Sequence, residues 1–167
     1  MTEAASLLEV LRQRTLKIVT AESCTGGLIA GLLTEIPGSS DVVERGFVVY
    51  SNDAKMESLG VPGHLFADHG AVSRPVAEAM ASGALMNSLA DVSIAVTGVA
   101  GPGGGTALKP VGLVHIAAAT LGGQPLHQEC RFGDIGRSAI RLETIKVALA
   151  LVRRLTIDMP LAPPADA

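Results

Sequence analysis

The chain contains no tryptophan, one tyrosine and three phenylalanines, so aromatic residues make up 2% of its 167 positions. Proteins that bind single-stranded nucleic acid stack bases on aromatic rings, and this sequence offers almost none. The formal net charge of −3 also lacks the basic excess of a general nucleic-acid binder. We therefore expect no nucleic-acid partner.

Cysteine is equally scarce: Cys24 and Cys130 are too few for a disulfide framework or a structural zinc site. The histidines show no metal-ligand spacing, so they are interpreted as structural or surface residues: His64, His69, His115 and His127. No G-x-G-x-x-G follows the first predicted strand, and the Gly-Lys-Ser/Thr of a P-loop is missing. We expect neither a metal nor a cofactor.

Long hydrophobic runs are absent, because glycine, proline or charge interrupts every apolar segment before about 18 residues. The opening segment MTEAASLLEVLRQR has no basic region leading into an apolar stretch, unlike a signal peptide. We therefore expect no membrane partner and a cytoplasmic location.

What the chain does contain is 48% hydrophobic and only 17% charged residues, the composition of a globular domain. Its length suits a single domain, placed here at residues 1–157. Residues 158–167 carry three prolines and no periodicity, which predicts a flexible tail. The low charge is compatible with a homo-oligomer.

Hydrophobic periodicity predicts strands that alternate with helices and end in a hairpin. The predicted strands are 16–21, 46–51, 92–97, 111–120 and 126–132. The predicted helices are 5–14, 28–36, 53–59, 73–89 and one from 134 or 136 to 155, with a loop through 60–72. This pattern indicates an α/β fold, a single three-layer α/β/α domain with a mixed, mostly parallel sheet.

The segment AESCTGG at 21–27 joins a buried strand to a glycine-opened helix. Ser23 would be a nucleophile there, with an oxyanion hole among the N–H groups of Cys24, Thr25, Gly26 and Gly27. Two simpler interpretations stay open. Ser23 or Thr25 caps the helix, and Cys24 is either a rival nucleophile or a small buried apolar side chain.

The only tyrosine, Tyr50, ends a predicted strand five residues before Lys55. An adjacent ammonium favours the phenolate, and a desolvated lysine can itself act as a base. The alternative is structural: the tyrosine ring packs inward and the lysine is solvated.

A glycine-rich turn, TGVAGPGGG at 97–105, follows the third predicted strand. Such a turn can cradle a phosphate or press against a flat ring, through Gly98, Ala100 and Gly101. A flexible surface loop is the alternative.

Arg137 and Arg141 lie one turn apart at the start of the last helix, where two cations oppose the helix dipole. This indicates a nearby anion. It is either a ligand phosphate or a protein carboxylate such as Glu143 or Asp134.

Taken together, TAESCTGG, PGSS, ERGFVVYSNDAK, GAVS, TGVAGPGGG with KPVG, and R-x-x-x-R occur in this order over about residues 5–155. In these motifs the chain resembles the CinA C-terminal domain family, in its stand-alone PncC-type nicotinamide-nucleotide amidohydrolases. The resemblance implies a three-layer α/β/α fold. It also implies hydrolysis of the carboxamide of nicotinamide mononucleotide to nicotinate mononucleotide and ammonia, with a phosphorylated pyridine nucleotide as the small-molecule partner.

Carried over by position, the resemblance implies Ser23 as nucleophile, Tyr50 and Lys55 as a proton-transferring pair, and Arg137 as a substrate contact, with Arg141 beside it. This chain has GDIGR where relatives often have Gly-Asp-Arg, which leaves the role of Asp134 open. A nucleotide- or partner-binding module without turnover and an amidase for another carboxamide are the competing functions.

Overall fold

The computed structural model describes residues 2–157 and 159. Apart from Met159, the tail predicted at 158–167 lies outside the described residues. The strands are β1 (Ile18–Glu22), β2 (Val43–Val48), β3 (Val92–Gly98), β4 (Leu113–Thr120) and β5 (Leu126–Arg131). The α-helices are α1 (Thr2–Gln13), α2 (Leu28–Thr34), α3 (Asn52–Leu59), α4 (Gly63–His69), α5 (Arg74–Met86) and α6 (Arg137–Ile157).

The five strands form one sheet in the order β2-β1-β3-β4-β5. β1 lies parallel to both β2 and β3, whereas β4 runs antiparallel to β3 and β5. The sheet is mixed, as predicted. Only β4 runs opposite to the other four strands, so two neighbouring pairs are parallel and two are antiparallel. The turns that follow β1 and β3 therefore meet at one edge of the sheet.

Helices cover both faces of the sheet, because successive residues of each central strand point to opposite sides. On β3, Ile94 packs in a core with α1, α2 and α6, whereas Ala95 packs in a second core with α3, α4 and α5. The predicted three-layer α/β/α architecture is confirmed. No helix among residues 2–157 is long and apolar enough to cross a membrane.

Two local predictions were wrong. The strand expected at 46–51 ends at Val48, because the chain then leaves the sheet and the Ser51 hydroxyl caps α3 by accepting from the Ala54 N–H at 3.0 Å. The loop expected at 60–72 contains α4, whose Leu65 and Phe66 pack on the second core. Two adjacent apolar residues in a seven-residue helix produce no helical periodicity, so the pattern did not reveal it.

Candidate active site

Ser23 follows β1 directly and is held against the neighbouring strand. Its N–H donates to the Val96 carbonyl of β3 at 3.1 Å, and its own carbonyl accepts from the Gly26 N–H at 3.1 Å. The residue is 8% exposed. The serine is therefore fixed by its backbone at the sheet edge.

The start of α2 is capped by a carboxylate and not by Ser23 or Thr25, so the capping interpretation was wrong. Gly27 precedes the helix at a φ of 97°, and no side chain caps from that position. Instead the fully buried Glu22 carboxylate accepts from three backbone N–H groups, those of Gly27 (3.1 Å), Ile29 (3.0 Å) and Ala30 (2.8 Å).

This arrangement reduces the number of N–H groups that are available for the predicted oxyanion hole. The Gly27 N–H donates to Glu22, and the Gly26 N–H donates to the Ser23 carbonyl. Within the described residues, the N–H groups of Cys24 and Thr25 donate to no other residue, so they are the donors of this turn that can serve an oxyanion.

Lys55 is buried, with 1% of the residue exposed, so the structural alternative of a solvated lysine was wrong. Its Nζ donates to the carbonyls of Tyr50 at 3.1 Å and Ser51 at 3.4 Å, and no carboxylate pairs with it in the described part of the chain. Burial lowers the pKa of the Lys55 ammonium below its ordinary value of 10.5. This shift makes the neutral amine, the form that accepts a proton, easier to form than in a solvated lysine.

Tyr50 is 63% exposed, so its ring does not pack inward as the structural alternative required. Its hydroxyl accepts a hydrogen bond from Arg137 Nη2 at 3.1 Å. Lys55 contacts the Tyr50 carbonyl, and no hydrogen bond joins its amine to the phenol in the described structure. The phenol and the amine are separate functional groups of one site.

The two arginines of α6 bind backbone carbonyls. Arg137 Nη1 donates to the Gly101 carbonyl at 2.9 Å, which ties the glycine-rich turn to the start of α6. Arg141 Nη2 donates to the Thr25 carbonyl at 2.8 Å. Neither forms an ion pair within the described residues, so the alternative of a carboxylate partner such as Glu143 or Asp134 was wrong. Glu143 instead pairs with Lys146 at 2.7 Å.

Cys24 is buried, and desolvation is the main cause that raises the pKa of its thiol to about 12. A thiolate is strongly disfavoured at neutral pH, so the rival nucleophile is not supported. The alternative of a small buried side chain is confirmed.

A cavity of about 210 Å³ lies at this sheet edge. Seven predicted residues line it: Ser23, Cys24, Tyr50, Lys55, Gly98, Ala100 and Arg137. Five predicted binding residues lie outside its wall: Thr25, Gly26, Gly27, Gly101 and Arg141. These five residues hold the turns in place through hydrogen bonds of their backbone or side chains and through close packing.

Four lining residues were not predicted: Asn52, Ala71, Val72 and Thr97. Thr97 belongs to the motif TGVAGPGGG, and its hydroxyl donates to the Ala71 carbonyl at 2.9 Å. A polar residue at the end of a buried strand was the available signal for Thr97. Ala71 and Val72 carry no reactive side chain that a pattern could single out.

A larger cavity of about 930 Å³ lies between α1, α2 and α6 and is lined mainly by apolar side chains such as Leu32, Leu142 and Leu149. It contains no serine, and its one lysine, Lys146, pairs with Glu143. This cavity is the larger of the two, but the candidate nucleophile Ser23 and the buried amine of Lys55 line the smaller one.

The histidines include one pair that the spacing did not reveal. His115 of β4 and His127 of β5 stack with ring centroids 5.2 Å apart, and Nδ1 of the first lies 2.9 Å from Nε2 of the second. Among the described residues, no group of three or more histidine, cysteine, aspartate or glutamate side chains is arranged to hold a metal ion.

Fold and site together define a three-layer α/β/α domain that places a serine and a buried lysine in one cavity at the sheet edge. The family model of the CinA C-terminal domain matches residues 2–156, so the chain belongs to that family. The resemblance to the CinA C-terminal domain family, noted from the motifs, is confirmed at the level of the family.

Known relatives agree with this assignment. The chain is 58% identical over 140 residues to a CinA-like protein of Akkermansia muciniphila, covering 84% of this chain and 34% of that protein. It matches the crystal structure of competence/damage inducible protein CihA from Agrobacterium tumefaciens at 55% identity and a TM-score of 0.91, covering 92% and 93% of the two chains. A CinA superfamily protein of Escherichia coli matches at 35% identity and a TM-score of 0.86, with 92% and 88% covered. The chain spans about a third of the length of the curated relatives it matches.

Proposed function

We propose that this domain hydrolyses the carboxamide of nicotinamide mononucleotide to nicotinate mononucleotide and ammonia. One observation carries the proposal: Lys55, a buried lysine without a carboxylate partner in the described structure, lines the same cavity as Ser23. A lysine in a merely structural position is seldom buried without a counter-charge. Burial is one of the ways in which a protein lowers the pKa of a lysine so that its amine can act as a base.

In the first step the neutral Lys55 amine takes the proton of the Ser23 hydroxyl as Oγ attacks the carboxamide carbon. The carbonyl π electrons move to oxygen, which accepts hydrogen bonds from the N–H groups of Cys24 and Thr25. When the intermediate collapses, the C–N bond breaks and the lysine proton passes to nitrogen. Ammonia leaves and the acyl group stays on Ser23 as an ester.

In the second step water attacks the ester carbon and gives a proton to the Lys55 amine. Collapse breaks the bond between the carbon and Ser23 Oγ, and the proton returns to the serine. The product is released as the carboxylic acid and loses its proton to water or to the departing ammonia, which leaves a carboxylate. The enzyme is restored without a net change in protonation of its own groups. The electron-poor pyridinium ring makes the carboxamide carbon a better electrophile from the start.

Tyr50 and Arg137 are proposed to bind the remainder of the substrate. The exposed phenol and the guanidinium lie 3.1 Å apart at the cavity, where a ribose phosphate attached to a ring inside it would extend. An arginine binds phosphate through charge-assisted hydrogen bonds, and these groups supply binding energy without reacting. In this assignment Lys55 is the base and Tyr50 orients the arginine and the substrate.

A binding module without turnover is the alternative, because the arginine and the glycine-rich turn would hold a phosphate without any reaction. The test is ammonia release by the wild-type protein from nicotinamide mononucleotide, nicotinamide riboside and free nicotinamide, with binding of each followed by calorimetry. The proposal predicts turnover that is fastest for the phosphorylated compound. Binding of the mononucleotide with no ammonia release would favour the module, and equal turnover of free nicotinamide would indicate a different amidase.

A further inference from the structure

Glu22 is a charged side chain with no solvent exposure at the end of β1. Its carboxylate is hydrogen-bonded to the N–H groups of Gly27, Ile29 and Ala30, and no cation pairs with it in the described part of the chain. The N–H of Leu28 donates to the Thr25 carbonyl at 3.3 Å. The backbone donors at the start of α2 are therefore all engaged inside the protein.

A helix N-terminus normally attracts anions, because its free N–H groups and the helix dipole both favour negative charge. Here a carboxylate of the chain itself occupies that place. No such donor is left for a substrate phosphate at α2. An anionic group of the substrate must be bound elsewhere, and Arg137 is the cation that lines the cavity close by.

Glu22 also connects the two ends of the turn that carries Ser23. Its backbone pairs with β2 and β3 and its carbonyl accepts from the Val49 N–H at 2.9 Å, while its side chain holds the first turn of α2. The turn between these fixed points contains the serine and two N–H groups, those of Cys24 and Thr25, that donate to no other residue of the described structure.

We propose that Glu22 is a positioning residue that holds Ser23 and its oxyanion donors in place and excludes the substrate phosphate from the N-terminus of α2. The inference rests on the proposed function. Glu22 does not line the cavity, so it acts through the turn and not by touching the substrate.

The test compares wild type with Glu22→Gln and with the control Thr144→Val, which removes another fully buried polar group that bonds only to its own helix, at the Ile140 carbonyl. Glutamine keeps the shape but places an NH₂ group against a backbone N–H. A small displacement of a catalytic group costs up to 10²-fold in rate, so we expect kcat of folded Glu22→Gln to fall by about 10- to 100-fold. KM should stay near the wild-type value.

The pH dependence separates positioning from loss of the base. Glu22 is not among the groups that shift the pKa of Lys55, so the pH at which the rate rises should be the same in wild type and Glu22→Gln. For the control Thr144→Val we expect a lowered melting temperature and an unchanged kcat. The same result for Glu22→Gln would overturn the proposal. So would a rise in KM at constant kcat.

Two measurements keep the proposal testable if Glu22→Gln does not fold or if the wild type releases no ammonia. Hydrogen exchange of the wild-type protein should show the amides of Gly27, Ile29 and Ala30 exchanging more slowly than those of Cys24 and Thr25. The opposite order would overturn the inference. Labelling of Ser23 by a fluorophosphonate, followed by mass spectrometry, reports serine reactivity without a nucleotide. Labelling that is slower in folded Glu22→Gln supports positioning even where the proposed substrate fails, and equal labelling of both overturns it.

Discussion

Replacing Lys55 with methionine tests whether the buried amine is the general base. Methionine has a long, unbranched apolar stem like that of lysine, so it fills much of the same buried space. General-base catalysis contributes about 10²- to 10⁴-fold, and we expect the rate of nicotinamide mononucleotide hydrolysis to fall by that factor.

The pH dependence of the wild-type rate follows from the same group. Only the neutral amine accepts a proton from Ser23, and burial lowers the Lys55 pKa below 10.5. The ratio kcat/KM should therefore rise with pH and level off above the folded-state pKa of Lys55, at a pH below 10.5. Any residual activity of Lys55→Met should lack this rise.

Stability provides an independent measurement. The unfolded chain keeps the Lys55 proton to higher pH than the folded protein does, so between the two pKa values the unfolded state binds more protons. As the pH is raised from the folded-state pKa of Lys55 to 10.5, the free energy of unfolding therefore rises. When the pH falls back through the folded-state pKa, this gain in stability is lost. A tenfold difference in proton affinity corresponds to about 1.4 kcal/mol.

The variant loses hydrogen bonds to the carbonyls of Tyr50 and Ser51, at a cost of about 1–3 kcal/mol in total. That cost is the same at every pH in the variant. The two proteins are therefore compared by the slope of the free energy of unfolding against pH, and not by its absolute value. Urea unfolding from neutral pH to the ordinary lysine pKa should show the rise in wild type and its absence in Lys55→Met.

The matched control is Lys146→Met, which removes an exposed lysine paired with Glu143. This control should keep the wild-type rate and the pH dependence that Lys55 confers. A loss of less than about tenfold in rate for Lys55→Met would show that Lys55 is not the general base. A pH slope of stability in Lys55→Met equal to that of wild type would contradict the lowered pKa.

Three further predictions concern other parts of the molecule. Arg137→Ala should raise KM for nicotinamide mononucleotide by about 10- to 100-fold, since hydrogen bonds to a charged group contribute about 1.5–3 kcal/mol; steady-state kinetics would contradict this if KM matched that of the exposed control Arg131→Ala. Iodoacetamide at neutral pH should leave Cys24 unmodified and activity intact, because burial raises its pKa to about 12, and mass spectrometry would detect the contrary result. Burial lowers the pKa values of His115 and His127 below 6.5, and the His127 ring is a second cause for His115. The stability that the neutral pair provides is therefore present above pH 6.5 and is lost as the pH falls through the lowered pKa values. Melting temperatures that fall equally in His127→Gln over this range would show that the pair is not responsible.

Much of the fold could be predicted because the signals are local and repeated. The β-branched run of β3, the hairpin signal before β5 and the helical period of α6 indicate their own structures and together define a mixed sheet between helices. α4 escaped prediction because its burial depends on two adjacent side chains that meet a core formed by distant segments.

The site was predicted in part, for a related reason. Ser23 and Lys55 stand out by type and position in their motifs, and the fold brings them to one cavity. The contacts of Arg137 with a carbonyl and of Glu22 with backbone N–H groups could not be predicted, because backbone acceptors and donors have no side-chain signature. Glu22 reaches residues five, seven and eight positions ahead only because Gly26 and Gly27 adopt φ values of 61° and 97°, which reverse the chain.

The most direct test of the central claim is ammonia release from nicotinamide mononucleotide, without added metal, by wild type and Ser23→Ala side by side. Ser39→Ala, a change at a half-buried serine outside the cavity, serves as the matched control. We expect ammonia release by wild type and by Ser39→Ala, and its loss in Ser23→Ala with the nucleotide still bound. Equal release by Ser23→Ala would contradict the assignment of the nucleophile, and bound nucleotide without release by wild type would contradict the proposed reaction.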